Sequence, residues 1–349
     1  MQNRLTPLLG TTHPLIQAPM AGVQGSALAA AVCNAGGLGS LPCAMLSPDA
    51  MRAELTALAQ ATDRPFNVNF FCHTSPAPDT AKEQAWRQAL MPFYSEFGID
   101  PGTIAEGPGR LPFSAEAAAV LAEFKPAVVS FHFGLPSVEL LDRVKKSGAK
   151  VLSSATTVDE ALWLQAHGAD AIIAQGLEAG GHRGMFLTEE LTTQLGTLAL
   201  IPQVVRAVHL PVIAAGGIAD AQGVAAAMAL GASGVQIGTA YMLCPEASTS
   251  QVHRAALASP DARHTALTRL FTGRPARGIM NRVMRELGPM NTAAPAFPLA
   301  TSAIAPLRAM AEARGLGDFS PLWAGQNASG CRAMAAEDLT AELALGFCA

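Results

Sequence analysis

Charge is scarce in this chain. Asp, Glu, Lys and Arg make up only 14% of its 349 residues, against 50% apolar ones, which excludes a disordered, self-repelling polymer and predicts a compact folded protein. The few charges show no cationic excess either. With 23 Lys and Arg against 27 Asp and Glu the net charge is −4, so the basic footprint of a nucleic-acid binder is missing and no nucleic-acid partner is expected. Long apolar runs are missing too: none approaches the roughly 18 residues of a spanning helix, and the Ala-rich stretch 27–32 is much too short. The N-terminus has no basic segment leading through an apolar run to a small-residue cleavage site. No membrane association and a cytoplasmic location are therefore expected. The six cysteines, Cys33, Cys43, Cys72, Cys244, Cys331 and Cys348, are scattered, with no C-x-x-C pair and no histidines at ligand spacing. They read as reduced, mostly buried thiols, and no structural metal is expected.

What the chain does have is alternation. Between 15 and 241, eight short apolar, β-branched runs take turns with longer helical patterns: 15–20, 38–43, 65–71, 127–134, 150–156, 171–176, 211–217 and 234–241. The intervening segments 47–62, 137–148, 157–168 and 220–231 open on Ser, Thr or Asp, and several close on Gly, the start and stop chemistry of helix caps. Runs that are continuously apolar belong to strands buried on both faces, as in a parallel sheet wrapped by helices. Eight such units predict a (β/α)8 TIM barrel. The spacing breaks twice. Residues 72–113 form a proline-rich excursion after strand 3, with one amphipathic helix near 79–97, and 246–349 form a helix-rich C-terminal extension. The expected division is a barrel over 1–245, with the excursion inserted, and a region 246–349 that completes and caps it.

In this fold the site forms at the C-terminal ends of the strands, with phosphate commonly held after strands seven and eight. Those strands end here in AAGGI (214–218) and QIGT (236–239), turns whose backbone N–H groups make an anion site. Either turn alone could do no more than lead strand into helix, and the pair also serves sugar-phosphate enzymes. Other strand ends narrow the choice. QAPMAG (17–22) offers a turn against which a flat ring could lie, while Asn69 and Gln175 place amides at the mouth, suited to the polar edge of a flavin. Together these groups favour FMN. The segment AQGLEAGGHRG (174–184) adds one imidazole, His182, in a glycine-rich loop that leaves it little to pack against locally. With an ordinary pKa near about 6.5, it could take a proton from a carbon acid or, protonated, stabilise an anion. His132 also sits near a mouth and is a candidate substrate contact; His13, His167, His209, His253 and His264 read as surface or packing residues. Arg183 reads equally well as a solvated loop charge.

QAPMAGV (17–23), the Asn69 of NVNFF, SFHFGLP (130–136), QGLEAGGHRG (175–184), AAGGIAD (214–220) and QIGTAY (236–241), in this order, resemble the nitronate monooxygenases, formerly called 2-nitropropane dioxygenases. TGRPARG (272–278) and FSPLWAGQ (319–326) extend the resemblance into the tail. It implies a barrel that binds FMN non-covalently and uses O2 to oxidise alkyl nitronates, propionate 3-nitronate and nitroalkanes among the options, to a carbonyl compound and nitrite, a nitroalkane-detoxifying activity. On the matching motifs, His182 would be catalytic, Met20 and Ala21 would lie by the ring, and Asn69, Gln175, Gly180, Gly181, Gly216, Gly217, Gln236, Ile237, Gly238 and Thr239 would contact the cofactor. The partners implied are small molecules and O2, with assembly into a homo-oligomer left open. The chain also resembles FMN-dependent, NADH-using enoyl-acyl-carrier-protein reductases, which share EAGGH, but these usually carry QGGMAW in place of QAPMAG and lack SFHFG. A cysteine-nucleophile barrel would want a Cys in 176–196, where there is none. Some members of the resembled family set tyrosines and a lysine near the substrate, whereas the tyrosines here are Tyr94 and Tyr241 alone. Phe297 is expected to line the pocket in their place.

Overall fold

The computed structural model describes residues 4–104 and 110–348. Eight parallel strands form its centre: β1 (Leu15–Gln17), β2 (Ser40–Pro42), β3 (Asn67–Phe71), β4 (Val128–His132), β5 (Lys150–Ala155), β6 (Ala171–Gln175), β8 (Val212–Ala215) and β9 (Gly234–Ile237). Their order is β1-β9-β8-β6-β5-β4-β3-β2, and a parallel bridge between Ile16 and Leu38 brings the two ends together. This is a TIM barrel. Each strand falls inside its expected run, and β1, β4, β6, β8 and β9 stop short of a Gly- or Pro-bearing end. Those ends have left the ladder to form the mouth.

The strands are apolar on both faces because each face meets a different core. Ile16, Leu38, Val128, Leu152, Ile173 and Ile213 fill the barrel interior together with Leu5 and Leu9 from the helix Leu5–Leu9, while Ile172, Val212, Val235 and Ile237 pack outward on the helices. Ser47, Ser114, Ser137, Thr157 and Asp220 each accept a hydrogen bond from a backbone N–H in the first turn of the helix they precede, which satisfies donors the helix cannot. The helix that fits between Ala221–Ala229 and Ser26–Asn34 comes from far along the chain, Ala336–Ala344. Among the described residues, no helix is long and apolar enough to cross a membrane.

The excursion and the tail pack on each other. The excursion helix Thr80–Phe97 meets the tail helix Ala300–Ala313 in a separate aromatic cluster with Phe93, Leu307 and Phe319. There the Trp86 indole donates to the Ala300 carbonyl at 3.0 Å, and the Tyr94 hydroxyl to that of Ala303 at 2.6 Å. Tyr241 is buried against Thr340. A second, antiparallel sheet lies outside the expected barrel: β7 (Gly181–His182), β10 (Thr265–Thr268) and β11 (Ala276–Ile279), in the order β10-β11-β7. It pairs His182 with Ala276 and ties the loop after β6 to the tail.

Candidate active site

The strand ends, the β7 loop and the tail enclose a cleft of about 1240 Å³, partly open to solvent. Period-two alternation sends every second side chain of a strand inward, which is how Asn69, Ser130, Ser154 and Gln236 reach the same space. Every residue expected against a cofactor lines this cleft except Ile237. It follows Gln236 on β9, so its side chain points the other way, into the helix layer. His182 and His132 both line the wall.

Several of these groups are occupied with one another. Gln175 donates from Nε2 to the His182 carbonyl at 3.0 Å and accepts at Oε1 from the Gly184 N–H at 2.8 Å, so its amide is committed to holding the loop. His132 does the same from β4. Its Nε2–H donates to the His182 carbonyl at 3.1 Å, and Nδ1 therefore accepts from Ser154 Oγ at 3.0 Å. Burial, partly offset by the bond to that carbonyl, pulls His132 down to about 4. Both its nitrogens are spoken for. Gly184 makes this contact possible, because a Cβ there would lie 2.9 Å from His132 Cε1 and from Ser154 Cβ.

Arg183 is not a solvated charge. It is fully buried, donating to the carbonyls of Gln175 at 2.8 Å and Gly176 at 2.7 Å and to Gln194 Oε1 at 3.0 Å. The chain leaves the ladder at Gln175–Gly176, and carbonyls released there need donors. Burial lowers the guanidinium to about 10, with Arg277 adding to the effect and Glu160 and Glu178 opposing it.

His182 has neighbours that its own loop could not supply. Its ring lies 5.4 Å from Phe297, 5.5 Å from Trp323, 6.0 Å from Phe71 and 6.1 Å from Phe133, centroid to centroid. Nε2 is 2.9 Å from the buried Thr272 Oγ1. Burial holds its pKa well below the ordinary value, and Arg110, His132, Arg274 and His73 depress it further. The imidazole is neutral at pH 7.

Three of these neighbours escaped the sequence reading. Arg110 lines the cleft with its guanidinium 5.7 Å from the Phe297 ring, and burial draws it down to about 10. Arg274 lies 4.1 Å over Phe133 and donates to the Met185 carbonyl. His73 is 4.8 Å from Phe297, and its Nε2 meets the Arg110 carbonyl at 2.9 Å. No carboxylate pairs with either arginine among the described residues. Arg110 and His73 lie in no motif, and Arg274, though it stands in TGRPARG, carried no expected role. Trp323, by contrast, belongs to FSPLWAGQ, which pointed to the tail. At the other end of the cleft, Gly216 and Gly217 have φ of +121° and +73°, conformations that only glycine adopts freely. Asn327 donates to the Gly217 carbonyl at 3.0 Å, and the Gly325 N–H donates to Thr239 Oγ1 at 3.0 Å. Among the described residues, no three His, Cys, Asp or Glu side chains are grouped to hold a metal.

A TIM barrel with a neutral, aromatic-boxed imidazole and a glycine-lined cleft at its C-terminal mouth has the build of a barrel enzyme. Its class follows from comparison. The model of the nitronate monooxygenase family matches residues 2–346. Nitronate monooxygenases of Paraburkholderia phytofirmans and Pseudomonas aeruginosa are each 45% identical over 348 residues, covering 97% of this chain and 93% and 97% of theirs. The solved structure of a nitroalkane oxidase from Streptomyces ansochromogenes superposes with a TM-score of 0.89 at 39% identity, covering 99% of both chains. FabK from Thermotoga maritima is more distant, with a TM-score of 0.74 and 29% identity over 99% of this chain and 96% of its own. The chain belongs to the nitronate monooxygenase family and is an oxidoreductase.

Proposed function

We propose that this chain is an FMN-dependent nitronate monooxygenase, using O2 to convert alkyl nitronates, propionate 3-nitronate among them, to a carbonyl compound and nitrite. The observation that carries the reading is the neutral His182 in its aromatic box beside Arg110, a cation without a carboxylate partner among the described residues. A nitronate is a planar anion. Desolvated cations draw it in, and aromatic faces exclude water around it. A substrate with a second anionic group would turn that group toward Arg110.

The residues present fit FMN. Gln236 Oε1 is buried in the cleft wall and without a hydrogen-bond partner among the described residues, and it would accept an N–H of the ring edge. Asn69, Met20 and Ala21 flank the same space. The turns at Gly216–Gly217 and Gly238–Thr239 would take the phosphate, and Gly180 and Gly181 approach from the β7 loop. The flavin, when bound, supplies the redox chemistry and the reaction with O2. His182 meets the substrate, donating to a nitronate oxygen or accepting a proton from the carbon of a neutral nitroalkane. The division into a barrel, 1–245, and a cap, 246–349, is part of this reading, with Thr272, Phe297 and Trp323 as the cap's contribution. The six thiols are unpaired, and we place the enzyme in the cytoplasm, where they would stay reduced.

The test is an aerobic assay of the FMN-loaded protein with propyl-2-nitronate and propionate 3-nitronate. Oxygen uptake accompanied by nitrite and carbonyl product is the expected result. NADH oxidation driven by an enoyl thioester, with no nitrite from any nitronate, would assign the chain to the reductases instead.

A further inference from the structure

Thr272 stands in the turn between β10 and β11, on the tail segment whose strand β11 also pairs with the His182 backbone. Its hydroxyl is the only hydrogen-bond partner of the His182 ring among the described residues, at 2.9 Å from Nε2. A hydroxyl can donate or accept, and here the direction decides which ring nitrogen carries the hydrogen. Were Nε2–H to donate, the buried hydroxyl hydrogen would be left with no acceptor among the described residues, an arrangement that costs free energy. With Oγ1–H donating to Nε2 that hydrogen is satisfied, and the ring hydrogen sits on Nδ1. That nitrogen has no protein partner among the described residues, and the ring itself lines the cleft.

We propose that Thr272 is a positioning residue that holds neutral His182 as its Nδ1–H tautomer, so that Nδ1 donates a hydrogen bond to a nitronate oxygen. The proposal rests on the reading that His182 is the group that meets substrate. It gives one imidazole two modes with unequal access. A preformed nitronate finds the donor in place. A neutral nitroalkane needs a lone pair on Nδ1, which appears only after the ring hydrogen passes from Nδ1 to solvent in the cleft and one returns to Nε2, the hydroxyl turning to accept from Nε2–H with its own hydrogen left unsatisfied. The other groups facing the ring, Arg110, Arg274, His73 and His132, are cationic or neutral, and none of them bonds to it.

The test reads the tautomer directly. In FMN-loaded protein carrying 15N-histidine, the His182 ring resonances are identified by their loss in His182→Asn, and proton–nitrogen correlations show which nitrogen bears the hydrogen. Wild type and Thr272→Ser should place it on Nδ1, while Thr272→Val, nearly isosteric but without the hydroxyl, should shift the population toward Nε2–H. In parallel, Thr272→Val should lower kcat/KM for a nitronate roughly tenfold, with Thr272→Ser restoring most of it. A hydrogen on Nε2 in wild type, or a Thr272→Val spectrum unchanged from wild type, would overturn the proposal while nitronate turnover stood. A wild type that turns over no nitronate would overturn the functional reading, and with it the task assigned to Nδ1.

Discussion

Replacing Arg183 by Met sets two opposed quantities against each other. The guanidinium is fully buried, and its fall to about 10 from 12.5 corresponds to a net burden of about 3 kcal/mol for keeping the charge inside. Against this stand three charge-assisted hydrogen bonds, to Gln175, Gly176 and Gln194, each worth roughly 1.5–3 kcal/mol. The bonds outweigh the burden. Arg183→Met removes both, takes the guanidinium donor from the Gln175 carbonyl and leaves the Gly176 carbonyl only the Ala179 N–H at 3.1 Å, so the expected loss is about 3 kcal/mol. Because Gln175 holds the His182 carbonyl and the Gly184 N–H, loosening its backbone should also weaken FMN retention. Urea unfolding followed by circular dichroism, with flavin fluorescence tracking release, measures both. An unchanged unfolding midpoint at an unchanged slope, with FMN fully retained, would show that desolvation cancels the bonds and that Arg183 does not hold the loop.

Gly184→Ala should displace His132, since its Cβ would meet Cε1 at 2.9 Å, and turnover should fall at least tenfold with the barrel still folded, checked by circular dichroism alongside the activity assay. Gln236→Leu should weaken FMN binding roughly fivefold to tenfold by removing the orphaned acceptor, measurable by fluorescence titration of the apoprotein. Arg110→Met should raise KM for propionate 3-nitronate well above any change for a neutral nitroalkane, because only the anion gains from the cation at the cleft. The lowered histidines make stability acid-sensitive: His132 and His253 fall to about 4 from 6.5, so the unfolded chain takes up protons first. Their contribution is intact above pH 6.5 and is lost as pH falls toward 4, up to about 3 kcal/mol for each. Urea midpoints measured from pH 7.5 to 4.5 should fall accordingly.

The barrel strands were legible because burial on both faces forces continuous apolar runs, and the mouth was legible because strand ends must carry Gly, Pro and amides. Other features depend on partners distant in sequence. The two-residue strand β7 has no periodicity to read and exists only because β11 lies beside it. Loop glycines around His182 suggested an unpacked imidazole, but its box of Phe71, Phe133, Phe297 and Trp323 is assembled from four separate segments. Arg183 looked solvated because the acceptors that bury it are backbone carbonyls, which every residue has. Ile237 shares its motif with Gln236, and only strand alternation separates the two. Arg110 and His73 came from the excursion, where no motif marked them, and Thr272 opens TGRPARG, which pointed to the tail but not to a contact with His182.

The central claim is that electrons pass from a nitronate, and not from NADH, to FMN held in this cleft. Mixing the FMN-loaded protein anaerobically with propyl-2-nitronate and, separately, with NADH tests it most directly, the flavin absorbance being followed in time. Rapid bleaching by the nitronate and little response to NADH are predicted. Rapid bleaching by NADH with none by the nitronate would contradict the account.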